Sequence, residues 1–242
     1  MKITRLMGTL AVSCTMATSV VAQEAGAAEE GPWAGSAALG YLATSGNTDS
    51  ASLNAQFEVS YTQDKWTHLL DATAIKSEEG GQSTAEAYKL GWKSEYSISE
   101  FNYLFGRVVW RKDLFSGYDQ QVSETLGYGR RLIETEKHHL SAEAGLGARQ
   151  STLRDGTKEN DTILRAGALY RWQLSDTSQF VQELAIESGS SNTYLESITA
   201  LRTRLLNDLA LVASYTVKNN SDVPVGTEKT DTFSALSIEY AF

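Results

Sequence analysis

Three histidines, His68, His138 and His139, and one cysteine, Cys14, are the side chains best suited to acid–base or nucleophilic work. Their spacing suits neither. His138 and His139 are adjacent, so on an extended chain they point to opposite faces, and no further His or Cys lies near them to complete a metal site. No Ser with an orienting Asn or Asp accompanies any histidine, so no nucleophile–base pair is legible. The sequence offers no catalytic residue, cofactor site or metal site. The ionisable residues that do form a pattern are charges separated by even numbers of positions: Asp71, then Lys89, Lys93 and Glu95, Arg107 and Arg111, Glu143 and Arg149, Arg165 and Arg171, Glu183 and Glu187, and Arg202 and Arg204. On strands of period two, each set shares one face. Glu58, Asp161, Glu196, Lys218, Asp231 and Glu239 fall on the same parity. Charges of both signs around a polar interior either set the selectivity of a channel or pair off and fill it. Long side chains of both signs consume cross-section, so a mostly closed or narrow interior is expected.

The elements that must hold these charges are read from alternation. In Ser50 to Thr62, Ala51, Leu53, Ala55, Phe57, Val59 and Tyr61 alternate with Ser52, Asn54, Gln56, Glu58 and Ser60, which no helical period fits. The same template gives about twelve strands, near 33–44, 50–62, 65–76, 85–97, 101–112, 121–132, 139–150, 161–173, 178–188, 193–205, 209–218 and 231–242. Glu124 and Gln182 fall on the apolar parity and Leu69 and Ile75 on the polar one, so bulges are expected there. The expected fold is all-β, a transmembrane antiparallel up-and-down barrel. Connections at one end are mostly short (Gln63-Asp64, 97–100, 133–138, 174–177, 206–208), whereas 77–84, 112–120, 151–160 and 219–230 are longer and polar. Segments 45–49 and 189–192 are short exceptions on that second side. Outer-membrane barrels show this asymmetry between periplasmic turns and external loops. The long loops carry Glu78, Glu79, Asp113, Asp119, Asp155, Glu159, Asp222 and Glu228, oxygen ligands of the kind that bridge to lipopolysaccharide through divalent cations. Gly80-Gly81 reads as a loop tip and not as a phosphate cradle.

Both ends of the chain fit export. Lys2 and Arg5 precede a mostly apolar stretch to Val21, and Val20-Val21-Ala22 is a small-residue cleavage pattern, so 1–22 reads as a signal peptide and 23–32 as a short periplasmic segment before a barrel at 33–242. Cys14 leaves with the signal, so no disulfide or thiolate is expected in the mature chain. The last strand ends Leu236, Ile238, Tyr240, Phe242 at alternate positions, resembling the aromatic carboxy-terminal signal read by the barrel-assembly machinery. Aromatics fall at strand ends, as membrane interfaces favour: Trp33, Tyr61, Trp66, Tyr96 and Trp172 on the periplasmic side, Tyr41, Tyr88, Trp110 and Tyr215 on the other. The expected partners are therefore outer-membrane lipid and lipopolysaccharide, with the assembly machinery during biogenesis and a monomeric state. The net charge of −9, from 21 Lys and Arg against 30 Asp and Glu without a basic cluster, speaks against nucleic acid.

At the level of motifs, the chain resembles the salt-induced outer membrane protein family, YdiY-like and with a domain of unknown function. The features that carry this are Gly40-Tyr41 followed by Thr44-Ser45-Gly46-Asn47-Thr48-Asp49, the segment Arg111-Lys112-Asp113-Leu114-Phe115-Ser116-Gly117-Tyr118-Asp119, Gly145-Leu146-Gly147-Ala148-Arg149, and the closing Asp231-Thr232 to Tyr240-Ala241-Phe242. The resemblance implies a barrel of the Gram-negative envelope, responsive to salt in some members, with no catalytic residues to transfer. The reading is a non-enzymatic barrel for envelope integrity or narrow polar-solute and ion passage under salt or osmotic stress. The alternatives are a lipase-like outer-membrane hydrolase and a surface recognition protein that uses its longer loops.

Overall fold

The computed structural model describes residues 31–44, 50–114, 116, 118–224 and 226–242. The signal-peptide reading, most of the short segment after it, and the connection 45–49 lie outside the described residues. Twelve strands follow in order: β1 Trp33–Thr44, β2 Ser50–Gln63, β3 Trp66–Glu79, β4 Gln82–Ser97, β5 Asn102–Asp113, β6 Tyr118–Glu134, β7 His138–Leu153, β8 Lys158–Gln173, β9 Ser178–Ser188, β10 Thr193–Leu206, β11 Leu209–Asn220 and β12 Thr230–Ala241. Each pairs antiparallel with its neighbours in sequence, and β12 returns to β1 to close the barrel. Closure gives every strand a neighbour on both sides, the condition for strands to cross a bilayer. Trp33 and Phe242 share one end, here called proximal; the other is distal.

The outer surface is the apolar parity. Leu126 is 74% exposed, and Leu39, Leu146, Leu164 and Leu236 stand out in the same way. In water this face would be unfavourable, but in lipid it is the solvated one. The closing seam is short. Only Ser36↔Ala241 to Leu39↔Ile238 are registered between β1 and β12, against twelve pairs from Trp33↔Tyr61 to Thr44↔Ser50 between β1 and β2. Phe242 compensates at the proximal end. Its N–H donates to Gly35 O at 2.9 Å and Gly35 N–H donates to its terminal oxygen at 2.8 Å. Its ring covers Gly35, where a Cβ would come within 2.7 Å of the ring, and lies near Phe57 and Tyr240.

Two expectations from the sequence are corrected. Three of the four distal connections expected to be long are not, because β3, β4, β6, β7 and β8 run past the positions where their apolar alternation stops, whereas 219–230 keeps a long connection between β11 and β12. Residues 77–84 become strand ends joined by Gly80-Gly81, both at positive φ (58° and 78°), the requirement of a type I′ two-residue hairpin turn. Polar side chains suffice outside lipid, so alternation fades while the ladder continues. Among the distal connections after β2, the widest is 221–229. Nor do bulges fall at the four off-parity residues. Register shifts occur instead at Ser77/Glu78, Tyr118/Gln120, Arg131/Ile133 and Arg204/Leu206. Gln182 does face outward, and its amide is satisfied there: it donates to Ser197 Oγ (3.0 Å) and accepts from Thr199 Oγ1 (2.7 Å). A polar group on the lipid face is tolerated when its hydrogen bonds are met locally. Glu124 is likewise exposed on the outer face, opposite Val108 and Ala148. Leu69 and Ile75 face inward in regular register, opposite Ser60 and Asn54.

Candidate functional site: the charged lumen

The ladder registers bring the polar parity of all twelve strands to the inside, and with it the charges singled out in the sequence. Most pair across the barrel. Lys89 on β4 donates to Glu196 on β10 at 2.9 Å. Arg107 on β5 donates to Asp71 on β3 at 3.1 Å. Lys93 pairs with Glu95 on its own strand and with Glu143 on β7. Arg149 on β7 meets Asp161 on β8 at 3.0 Å, and Arg202 on β10 meets Glu239 on β12 at 2.8 Å. Lys218 on β11 reaches Asp113 at 3.5 Å.

The centre of the network is Glu187, 1% exposed. Arg111 Nη1 and Nη2 donate to its two oxygens at 3.1 and 3.0 Å, in the fork geometry that makes guanidinium–carboxylate pairs strong. Arg165 Nη1 adds a bond at 3.2 Å and Ser123 Oγ another at 3.0 Å. Tyr194 lays its ring against the Arg111 guanidinium, 4.6 Å from centroid to Cζ. A carboxylate so far from water persists only with such a full set of donors.

The distal mouth is drawn in over this cluster. Asp161 accepts from Arg149, Ser190 Oγ, Ser191 N–H and Ser191 Oγ, while Arg149 also donates to Asn192 O at 2.5 Å. Asn192 donates to Asn220 Oδ1, and its own Oδ1 accepts from Ser221 Oγ and Asp222 N–H. The connection 189–192 is thereby tied into the lumen and not held out as a surface loop. The free space among Lys89, Arg111, Tyr118, Tyr194, Glu196 and Lys218 is about 30 Å³, room for about one water molecule. A more open cleft of about 240 Å³ lies at the rim between Ser77, Thr84, Asp113, Asp231 and Phe233.

The proximal interior has two walls of different character. On β5 to β7, Tyr103 and Phe105 lie flat on Gly129 and Gly127, where an added Cβ would come within 2.2 Å of the Tyr103 ring and 2.6 Å of the Phe105 ring. Tyr103 donates to Glu143 Oε1 at 2.9 Å, and the Lys93 ammonium and Arg131 guanidinium sit over the Tyr103 ring. Elsewhere at this end, Gln56 and Glu58 on β2 and Arg171 on β8 are exposed to the lumen, and the Arg202 side chain on β10 is 41% exposed. Glu58 feels Arg171, Glu183, Asp71 and Arg202 electrostatically without a direct hydrogen bond to any of them. Arg204 turns to the proximal rim and donates to Asp176 O.

Sequence reading did not single out Tyr103, Ser123, Arg131, Tyr194 and Asn192, all part of this interior, and it placed Asp113 on a loop. The signal that could have found the aromatics is the pair of glycines at alternate positions, Gly127 and Gly129, which leaves room on one face for a neighbouring strand's large side chains. The histidines divide by face. His68 stacks with Trp66 and Trp92, and His138 stacks with Tyr170 and Trp172 on the outer surface, while His139 faces inward and shares a 2.6 Å hydrogen bond with Glu134. Among the described residues, no histidine ring bonds to a serine or threonine hydroxyl, and no group of three or more His, Cys, Asp or Glu is placed to hold a metal ion. Of the interface aromatics, Trp33–Tyr61 and Trp66–Tyr96 contact each other at 4.7 and 4.9 Å in the proximal belt, together with Trp172. Tyr41, Tyr88 and Tyr215 are exposed on the distal side, and Trp110 is half-buried there.

An apolar outer surface, two aromatic belts and a charged interior within a closed antiparallel ladder define a transmembrane β-barrel of the outer-membrane type. Solved structures agree on the fold. The translocator domain of autotransporter NalP from Neisseria meningitidis superposes with a TM-score of 0.50 at 11% identity, over 87% of this chain and 88% of that one. The NanC porin superposes with a TM-score of 0.50 at 10% identity, over 86% and 97%. The chain belongs to the family of proteins of unknown function DUF481, whose model matches residues 37–242. It is 31% identical over 211 residues to the uncharacterized protein YdiY of Escherichia coli (strain K12), covering 87% of this chain and 83% of that protein.

Proposed function

We propose that this protein is a non-enzymatic barrel of the bacterial outer membrane, exported by a cleaved signal and oriented with its proximal end in the periplasm. Its lumen is held shut toward the outside by a buried ionic network and leaves at most a narrow path for small ions. Its role is envelope integrity and restricted ion passage under salt or osmotic stress; the link to stress rests on the resemblance to the salt-induced family. The observation that carries the reading is Glu187, 1% exposed and clamped by Arg111, Arg165 and Ser123 beneath the inward-tied connection 189–192. A barrel of about eight strands is filled by side chains and one of 16 to 18 leaves an aqueous channel. Twelve strands leave a lumen that must be closed actively, and paired charges supply the closure.

Planar-bilayer recording from the folded protein tests this, with folding checked by heat-modifiable gel mobility. Small or rare unitary steps are expected from the native chain, and larger ones from Glu187→Gln. Large, stable steps from the native chain that Glu187→Gln leaves unchanged would overturn the closed lumen.

A further inference from the structure

The two strands that close the barrel separate toward their distal ends. Their register stops at Leu39↔Ile238. Gly40 still lies close, since a Cβ there would fall 2.5 Å from Leu236 O, and across it Ser237 Oγ donates to Asn54 Oδ1 on β2 at 2.9 Å. Beyond that bond, 41–44 of β1 pair only with β2, and 230–236 of β12 pair only with β11, from Asn219↔Thr230 to Ala213↔Leu236. Two free strand edges face each other above a sealed floor.

The side chains there invert the rule that holds along the rest of β12. Outward positions Thr232 and Ser234 are polar, and Phe233 and Ala235, on the inward parity of Ser237 and Glu239, are apolar. On β1, Leu42 shares the inward parity of Ala38, opposite Ser52, yet it is 67% exposed. The distal cleft of about 240 Å³ is lined by Thr232 and Phe233 together, hence from both faces of β12, and by Asp113 and Asp231. Lys218 is directed to Asp113 and over the Phe233 ring, while Asp231 has no hydrogen bond or ion pair among the described residues.

An apolar inner lining beside an open seam is not explained by an ion-paired lumen, and free strand edges persist only where polar groups reach them. We propose that the distal half of the β1–β12 seam is a lateral opening that binds a single-chain amphiphile with a cationic or neutral head. Its tail lies between the two edges against Leu42, Phe233 and Ala235, and its head sits in the cleft beside Asp231. The cleft is smaller than the about 300–1,000 Å³ typical of drug-sized ligands, so it suits one small head and excludes that of lipopolysaccharide. In the orientation proposed above the opening meets the outer leaflet, but its test depends on neither orientation nor conductance.

The folded barrel, in a Cys14→Ser background and reconstituted in phosphatidylcholine vesicles, is exposed to dodecyltrimethylammonium carrying a photoreactive group on its tail, and adducts are mapped by mass spectrometry. Adducts are expected to concentrate on Leu42 and on 232–235, with the matching dodecyl sulfate probe labelling them about fivefold less. Asp231→Asn should remove the preference for the ammonium head and retain the labelling by the tail. Leu42→Cys and Ala235→Cys stand opposite each other in the continued register, so their disulfide should close the seam and abolish the adducts, and reduction should restore them. Adducts no denser at the seam than at Leu126 and Leu146 on β6 and β7 would overturn the proposal, as would labelling that persists in the disulfide-closed barrel. Crosslinking of Leu42→Cys alone into dimers would place a second copy of the chain in the gap, and would overturn it as well. Should the double-cysteine disulfide not form, the adduct map of the barrel without it decides.

Discussion

Two groups of lumen charges, built from the same residue types on the same parity, end in opposite states. Around Glu187, arginine and carboxylate are buried, bonded and crossed by the inward-tied connection 189–192. Around Glu58, the acid of β2 faces Arg171, Glu183 and Arg202 across open lumen and touches none of them. Composition does not separate the two groups; their neighbours do. Near Glu187, Ser123 on β6 and Tyr194 on β10 fill the gaps between charges, and Arg111 spans from β5 to β9. Near Glu58, the β1 side offers only Ser36 and Ala38, too short to reach across, and its β3 partner Asp71 is taken by Arg107. An ion pair closes a lumen only where side chains of intermediate size seal around it.

Breaking the tight group should have the largest effect. Glu187→Gln leaves two buried guanidiniums without their anion, and truncating one member of a buried ionic cluster costs about 3–5 kcal/mol. The expected outcome is a large fall in the thermal midpoint by gel mobility, with the largest rise in conductance of any single substitution. Gly129→Val attacks the wall between the two groups. Its Cβ would fall 2.2 Å from the Tyr103 ring, and because Tyr103 is packed against Lys93 and Arg131, it has little freedom to move. Overpacking of this kind costs about 1–3 kcal/mol, to be read in the same assay, and Gly129→Ala should cost less. The open group should respond least. Arg202→Gln removes one end of a pair whose arginine is 41% exposed while its partner Glu239 is 8% exposed, so a stability change of about 1–2 kcal/mol, between the exposed and the buried case, is expected. Any current the barrel carries should nonetheless shift toward cations, measured as a reversal potential in a salt gradient. A large loss of stability from Arg202→Gln, or none from Glu187→Gln, would erase the contrast.

Much of this architecture is legible in the sequence. Alternation along strands such as Ser50 to Gln63 sets which side chains face lipid and which face inward, because the period of two is a local property of the chain. The connections are not legible, since a polar strand end such as Ser83 or Ser151 looks like a loop until its ladder partner is known. The partners of the charges are hidden for a further reason. Arg111 and Glu187 are 76 positions apart, and only the registers of the intervening strands bring them together. Asp71 with Arg107 and Lys89 with Glu196 are the same case. Glu58 and Glu187 are both inward glutamates in sequence, and their difference lies in what the barrel places opposite each.

The most direct test of that difference is the accessibility of single cysteines in a Cys14→Ser background, because Cys14 is the only natural one. Ser123→Cys places a thiol beside Glu187, at a position 1% exposed, and Gln56→Cys places one in the open part of the lumen. With the folded barrel in detergent and a charged, water-soluble methanethiosulfonate reagent, Gln56→Cys should label readily and Ser123→Cys should stay protected until the barrel is unfolded. Equal, rapid labelling at both positions would show that water and ions pass freely by Glu187, and would contradict a lumen closed by its charges.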